Sequence, residues 1–400
     1  MDFNKILRLP SYLYLLAQHK IEVKKYERDI IHEYKRLYFP QKTIEMLKLK
    51  LHGQYQGHSK QAPTSIERKL IDTIQKKRKI ANQNNITRTK AYLDYYNNHP
   101  EIHWSLLAHL VSRNGGWNMT DLKGSLLSPF LTSERTSDFF LFLERANAYI
   151  FYDAYPQLLL YEASKKANKN YFHLLRYFSV SSFMKPFWDS FYVHKDSKLL
   201  TVALIINEQH YIQKRVIEHP FFKQKVTKTM LFQTQDAFQF THVTFPYVSF
   251  QNKIKLTGTS VQDFTEIAQR ILIGKQLYMQ LFGISPLSQH IKAFTAVEHT
   301  GSREDFWPTV FSKDDKAVAE QENFFLSKKR KPFIYSPALE DVWGLIHHAT
   351  PSKEDWYTSE TNPFSYFSTI EQPGFLDISE TYYKQLLKLS TITDLKQLLP

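Results

Sequence analysis

Apolar residues recur at helical intervals along most of the chain. Ile21, Tyr26, Ile30, Tyr34 and Leu37 mark a helix over 17–50, between charges of both signs, and Pro40 breaks the pattern. Residues 52–63 are polar, carry Gly and Gln, and read as a linker. Thr64 and Glu67 stand at the spacing of a capping box and predict a new helix with Ile66, Leu70 and Ile74 on its apolar stripe. That helix ends in Lys76, Lys77, Arg78 and Lys79. Helices over 86–96 and 103–112 follow, the second with Trp104, Leu107 and Val111 on one face. Asn114, Gly115 and Gly116 are expected to stop it as a left-handed C-cap, and Asn118 or Thr120 to cap a next helix carrying Leu122 and Leu126. A long helix over 134–166 is bent at Pro156, and short aromatic helices follow over 171–178 and 183–193. Ser197 caps a helix over 198–218 that His219 and Pro220 end. Phe238 to Phe245 alternates with period two, and Val248 to Leu256 does so weakly, which predicts a hairpin over about 236–257. Helices over 261–283 (capped by Ser260), 287–299 and 339–348 come next, then irregular surface chain over 350–375 and two short helices over 379–399.

The fold class is therefore mainly α: a multi-helix globular domain with a minor β-hairpin and a basic helical N-terminal extension. The divisions are 1–84 as the extension with its linker, 85–345 as the helical core, and 346–400 as an irregular tail with short helices. Composition agrees with helices, since 11 Gly in 400 residues is well under the usual share of about 7% that turn-rich folds need. The absence of Cys removes disulfides, thiolate nucleophiles and Cys-ligated metals. The start of the chain carries Asp2, Lys5, Arg8 and Pro10, so no signal peptide is read there, and no apolar run is long enough to span a membrane. The expected compartment is the cytoplasm.

Charge changes the picture more. The formal net charge is +13, but residues 1–100 hold 20 Lys and Arg against 9 Asp and Glu, and the remaining 300 hold 32 against 30. The basic character belongs to the N-terminal quarter. Lys76, Lys77, Arg78 and Lys79, with Lys24, Lys25, Lys35 and Arg36 interleaved with Tyr26, Tyr34 and Tyr38, suit nucleic acid or another anionic partner through residues 1–84. A solvated face or an anionic membrane surface fits the same residues.

Several polar phrases stand out. They are Ser112-Arg113-Asn114-Gly115-Gly116-Trp117-Asn118-Met119-Thr120-Asp121-Leu122, then Tyr152-Asp153-Ala154-Tyr155-Pro156-Gln157-Leu158, then Ile206-Asn207-Glu208-Gln209 and Ile273-Gly274-Lys275. The last runs from His299 through Thr300, Gly301, Ser302, Arg303, Glu304, Asp305, Phe306 and Trp307 to Pro308. On these phrases the chain, over roughly 85–345, resembles the YppC-like family of uncharacterised proteins from Bacillus-type bacteria, a domain of unknown function. The resemblance implies a cytoplasmic bacterial protein and implies no activity.

The residues themselves supply the candidate chemistry. Backbone N–H groups from Gly115 to Asp121 beside Arg113 suit an anion, whereas a helix corner in which Gly115 caps, Trp117 packs and Arg113 pairs with Asp121 explains the same phrase. Glu144, Asp153 and Glu162 are nine residues apart and offer carboxylates for acid–base or metal work, but no Glu-x-x-His pair accompanies them, so no metal is assigned. Glu208 lies along an apolar stripe and needs a partner from another helix, with Arg113, Arg145 or Arg303 as the candidates. His299, Ser302, Arg303 and Asp305 suit a substrate rim, but Gly301-Ser302 is no nucleophile elbow. No cofactor motif is present. Two readings follow. One is a non-catalytic binding protein with a basic arm. The other is an enzyme or ligand-binding domain for an anionic, phosphorylated substrate, using Arg113, Asn114, Asp121, Asp153, Glu208, His299, Arg303 and Asp305.

Overall fold

In the computed structural model the described residues are 37–56, 62–229, 242–249, 253–260, 263–318, 333–369 and 377–398. The main elements are α1 (Gln41–Gln56), α2 (Ser65–Ala81), α3 (Asn85–Asn98), α4 (His103–Asp121), α5 (Ser133–Ala167), α6 (Met184–His194) and α7 (Ser197–Ile212). They continue with β1 (His242–Val248), β2 (Ile254–Ser260), α8 (Ile267–Phe282), α9 (Ser285–Phe294) and α10 (Ser379–Leu398). The protein is mainly α with a small antiparallel hairpin, as the pattern of apolar positions predicts.

The centre is α7. Every residue from Leu199 to Asn207 is buried, because this stretch is apolar all round and such a helix has no face for water. Helices α4, α5, α6 and α8 surround it. Its N-cap is Asp196, whose carboxylate accepts from the N–H groups of Lys198 and Leu199 at 3.1 Å. Ser197, the expected cap, instead donates to the Glu101 carbonyl at 2.7 Å. Helix α5 runs 35 residues with Pro156 inside it. Two π-helical turns, Gln213–Ile217 and Lys223–Thr227, follow α7 in place of continuous α-helix.

Helix α2 lies against α5 and the 3-10 turn Phe172–Phe178. Its capping box forms as the spacing predicts: Glu67 N–H donates to Thr64 Oγ1 at 3.3 Å, and Thr64 N–H donates to Glu67 Oε2 at 2.9 Å. The buried stripe is Glu67, Ile71 and Ile74, whereas Ile66 is exposed. The hairpin pairs Phe245 with Thr257 and Pro246 with Leu256. Its strands end three residues beyond the expected limit, and the predicted positions 236–241 fall outside the described residues. A two-residue parallel pair, Phe311–Ser312 with Ile334–Tyr335, had no period-two signal to announce it.

Several local readings are corrected. Gly115 and Gly116 do not stop a helix, since α4 runs through them to Asp121, and no helix carries Leu122 and Leu126. Strand β2 ends at Ser260, and α8 begins at Ile267. Of the helix expected over 339–348, one turn forms, Leu339–Val342, and residues 379–398 make one helix instead of two. Residues 343–369 are irregular but form a strap across the helices, burying Tyr357, Phe364 and Phe367. Asp355 fastens it to the Ser181 hydroxyl at 2.6 Å, and Lys275 Nζ donates to the carbonyls of Tyr366 and Ser368. Among the described residues no helix is long and apolar enough to cross a membrane.

Candidate functional site

The polar residues singled out above divide into two clusters, and Asn114 joins neither. The first cluster fastens the loop 297–305 to α4. Arg113 is wholly buried, lies 4.4 Å over the Phe294 ring, and donates to the carbonyls of Val297 and Glu298 at 2.8 and 3.2 Å. Asp305 Oδ2 stands 3.9 Å from Arg113. That carboxylate accepts from the Thr300 N–H and hydroxyl at 2.8 and 2.7 Å. Burial pulls the Arg113 pKa down to about 10, against the pull of Asp305. Arg303 donates through Nε and Nη2 to Asp121 at 2.6–3.0 Å and through Nη2 to Asn118 at 3.2 Å. Asp121 therefore pairs with Arg303, and the expected pairing with Arg113 does not form.

His299 is buried and neutral. Burial pulls its pKa down to about 4, with Asp305 opposing and Arg113 reinforcing. Its Nδ1 accepts from the Gly301 N–H at 3.3 Å, which assigns the proton to Nε2 for donation to Asn85 Oδ1 at 2.8 Å. Asn85 in turn donates to the Ser112 carbonyl at 2.9 Å. Gly116 has no Cβ for a packing reason: one placed there would meet Asn85 Oδ1 at 2.5 Å and His299 at 2.8 Å. Gly301, at φ +82°, turns the loop onto Thr120, whose hydroxyl donates to its carbonyl at 2.5 Å. The backbone N–H groups expected to cradle an anion are inside α4, and both arginines are occupied by protein acceptors. Gly116→Ala is expected to destabilise by about 1–3 kcal/mol through forced displacement of Asn85 and His299. Gly53→Ala, with open space around it inside α1, is the control and should stabilise by about 0.5–1 kcal/mol. Chemical denaturation of both variants measures the contrast.

Asn114 serves the hairpin. Its amide donates to the Thr244 carbonyl at 2.7 Å and accepts from the Thr244 N–H at 2.9 Å, as a neighbouring strand would.

The second cluster lies along α5 and α7. Asp153 is buried, and its Oδ2 accepts from Gln157 at 2.8 Å and from Asn207 at 2.5 Å. Asn207 Oδ1 accepts from the Trp356 indole of the strap at 2.9 Å, and Gln157 Oε1 accepts from Trp188 at 2.8 Å. Among the described residues Asp153 Oδ1 has no hydrogen-bond partner. Burial raises Asp153 to about 7, against the amide hydrogen bonds. Glu208 accepts from Trp104 Nε1 at 3.1 Å and from Gln209 at 3.1 Å. Among the described residues no arginine pairs with it, which corrects the expected partners Arg113, Arg145 and Arg303. Burial raises Glu208 to about 8. Two carboxyl groups in electrostatic contact thus titrate near neutrality, the range useful for proton exchange. The third carboxylate of the predicted series, Glu144, has a different environment. It pairs with buried Arg88 at 2.5 Å, with His348 of the strap at 3.5 Å. Among the described residues no group of three or more His, Asp or Glu is placed to hold a metal ion.

Asn85, Arg88, Asn207 and Trp356 were not singled out as site residues. Asn207 stood inside a quoted phrase next to Glu208, and that adjacency was the available signal. The others are ordinary polar or aromatic positions until the helices meet.

The basic run has two faces. Arg78 turns inward, its guanidinium 3.6 Å over the Tyr152 ring, while Lys76, Lys77 and Lys79 are exposed. Comparison with known proteins places these features in context. The family described as "Protein of unknown function (DUF2515)" matches residues 80–374. The chain is 39% identical over 330 residues to "Uncharacterized protein YppC" of Bacillus subtilis (strain 168), which covers 82% of this chain and 96% of that protein. No solved structure matches.

Proposed function

The chain belongs to the family of proteins of unknown function DUF2515, a membership that carries no activity, and from it we propose a cytoplasmic binding protein whose basic helical face engages nucleic acid. The observation that carries this reading is the outer face of α2. Arg68, Lys69, Lys76, Lys77 and Lys79 are exposed along it, with Asp72 as the one exposed carboxylate of that helix. Lys76, Lys77 and Lys79 have no carboxylate within ion-pair distance among the described residues. Burial of Glu67, Ile71 and Ile74, with half-buried Arg78 over Tyr152, turns that side of the helix inward and leaves the three lysines facing water. Unpaired ammonium groups held on a rigid helix match a phosphate backbone, and their binding is driven by counterion release. Lys166 and Lys169, at the end of α5, add exposed cations beyond the first turn of α2.

Binding of a labelled single- or double-stranded oligonucleotide to the full chain, across a salt series, tests the reading. Lys76→Gln, Lys77→Gln and Lys79→Gln together should weaken binding and flatten the log–log salt dependence by about 2–3 units, close to one per lost phosphate contact. No binding by the full chain, or an unchanged slope in the triple variant, overturns it. Binding to anionic vesicles in its place assigns the face to a membrane surface.

The ligand-binding alternative finds its support in the second cluster. The first cluster pairs each arginine with a carboxylate, Arg113 with Asp305 and Arg303 with Asp121, and among the described residues leaves Arg113 Nε unmet, whereas the second holds an uncompensated carboxylate with an unmet oxygen, Asp153 Oδ1.

A further inference from the structure

Four buried polar atoms without hydrogen-bond partners among the described residues belong to one neighbourhood: Arg78 Nη1 on α2, Asp153 Oδ1 on α5, Tyr211 OH on α7, and Arg215 Nε on the first π-helical turn. The groups lie within electrostatic reach of one another. Arg78 feels Tyr152, Tyr211 and Asp153; Tyr211 feels Asp153, Arg215, Tyr152 and Arg78; Asp153 feels Arg215. Each atom is out of water, where an unmet hydrogen bond costs about 1–3 kcal/mol.

The chemistry of the set is lopsided. Two guanidinium groups provide donors only, a phenol can donate or accept, and one carboxylate is the only anionic acceptor. Neither arginine has a carboxylate within ion-pair distance among the described residues. Arg78 is held by the Tyr152 ring, and burial lowers its pKa. Arg215 lies 4.1 Å over the Tyr211 ring, and its Nη atoms are spent on the carbonyls of Tyr211, Ser352 and Glu354. Its Nε remains. The carboxylate itself is two-sided. Asp153 Oδ2 accepts from two amides, so a proton taken up by this carboxyl group sits on Oδ1, and Oδ1 then becomes a fourth donor. What is missing from such a set is an acceptor-rich anion.

We propose that Arg78, Asp153, Tyr211 and Arg215 form a binding site for one small oxyanion, a phosphate or carboxylate group, taken up between α2, α5 and the π-helical turn. Arg78 and Tyr152 are half-buried and sit beside Lys76, Lys77 and Lys79, whose field favours arrival of an anion at that end of α2. The site stands apart from the polymer reading, because Arg78 faces inward and the lysines face out. The π-helical geometry has a reason here. Arg215 lies within it, its Nη atoms on the carbonyls of Tyr211, Ser352 and Glu354 and its Nε left for a guest, in keeping with π-turns at functional positions.

The site gives binding a pH dependence. An anion beside Asp153 favours the protonated acid, and burial already places that group near 7. The charged or titratable groups around it are Arg78, Tyr92, Glu208, Tyr211, Arg215 and Asp355. Asp355 acts in the same sense as the anion, raising Asp153, and Asp153 in turn raises Glu208. Affinity should therefore be higher at pH 6 than at pH 8.

Calorimetric titration of the full chain with inorganic phosphate, and separately with a nucleoside 5′-monophosphate, tests the site. Arg78→Gln and Tyr211→Phe should each weaken binding about tenfold, and Tyr211→Phe keeps the ring that Arg215 stacks on. Asp153→Asn should bind at pH 8 as the unaltered chain binds at pH 6, because the amide donates at every pH. Equal affinity for the two probes assigns the site to the free anion, and tighter binding of the ester assigns it to a phosphate monoester. No binding of either probe, or binding indifferent to Arg78→Gln and Tyr211→Phe, overturns the proposal. The triple lysine variant separates it from the polymer reading. Phosphate affinity should survive there while oligonucleotide binding fails.

Discussion

Arg88→Met is expected to destabilise the protein by about 3–5 kcal/mol, the largest single-residue effect anticipated outside the apolar core. Arg88 and Glu144 are 1% and 3% exposed, and Arg88 Nη2 stands 2.5 Å from Glu144 Oε2. The pair ties α3 to α5, and Arg88 also donates to Asn82 at 3.1 Å. Burial acting alone raises the Glu144 pKa, but Arg88 and then His348 overcome it and hold the carboxyl group below its ordinary value of 4.5. A group with a depressed folded pKa stabilises above its unfolded value and loses that contribution as pH falls through the folded one. In Arg88→Met the sign reverses. The buried carboxylate keeps only His348 beside it, which loses its charge as pH rises, so its pKa goes up and stability is lost as pH increases. The variant should therefore be hurt less at pH 5 than at pH 8. The double variant Arg88→Met, Glu144→Leu removes the stranded charge and should recover most of the loss. Chemical denaturation at both pH values reads all three outcomes. An equal cost at pH 5 and 8, or a double variant as unstable as the single, rejects the account.

These residues show what a single sequence carries. The Thr64–Glu67 capping box, the 35-residue α5 and the apolar α7 were legible because their causes are local: spacing, propensity and periodicity. The stripe of α2 was half legible. Ile74 is buried as expected, but Ile66 is exposed and Ile71 takes its place, since one turn of helix leaves both assignments open until α5 is present. Gly115 and Gly116 misled for a related reason. Paired glycines signal a helix end, yet here they admit Asn147, Asn85 and His299 against the side of α4. Tertiary packing overrode the local rule.

The same limit governs the candidate site. Helical offsets marked Glu208 as a carboxyl group on an apolar face, and it is half-buried beside Trp104. Its partner was not readable, because Trp104 lies 104 positions away and approaches through the packing of α4 on α7. Arg113, Arg303, Asp121, His299 and Asp305 do converge, but as a clasp whose charges are met within it. Four unmet groups that share one neighbourhood, Asp153 Oδ1, Tyr211 OH, Arg78 Nη1 and Arg215 Nε, become visible when every buried polar atom is followed to its partner.

Glu208→Gln is expected to gain stability relative to the unaltered chain as pH rises from 5 to 8. The folded pKa of Glu208 is raised from 4.5 to about 8, and each tenfold gain in proton affinity corresponds to about 1.4 kcal/mol. Such a group contributes fully below the unfolded pKa and progressively less up to the folded one. Asp153 acts in the same direction between 3.8 and about 7. Histidines oppose both. Burial lowers His103, His210 and His299 to about 4 and His109 to about 3, so their contribution is present above 6.5 and lost as pH falls. Below pH 6.5 the four imidazoles outweigh the two carboxyl groups, and above it the carboxyl groups act alone among these six. The stability of the unaltered chain should peak near pH 6.5 and decline toward 8, a range in which depressed carboxylates such as Glu101 and Glu67 contribute no slope. The difference between variant and unaltered chain cancels the histidines. It isolates Glu208 and should change by roughly 4 kcal/mol across pH 5 to 8. Gln at 208 keeps an acceptor for the Trp104 indole, so the variant should fold at pH 5 with little cost. Denaturation curves at half-unit intervals give the result directly. A difference that stays flat with pH means that Glu208 is ionised in the folded protein, and with that the buried proton at this position is gone.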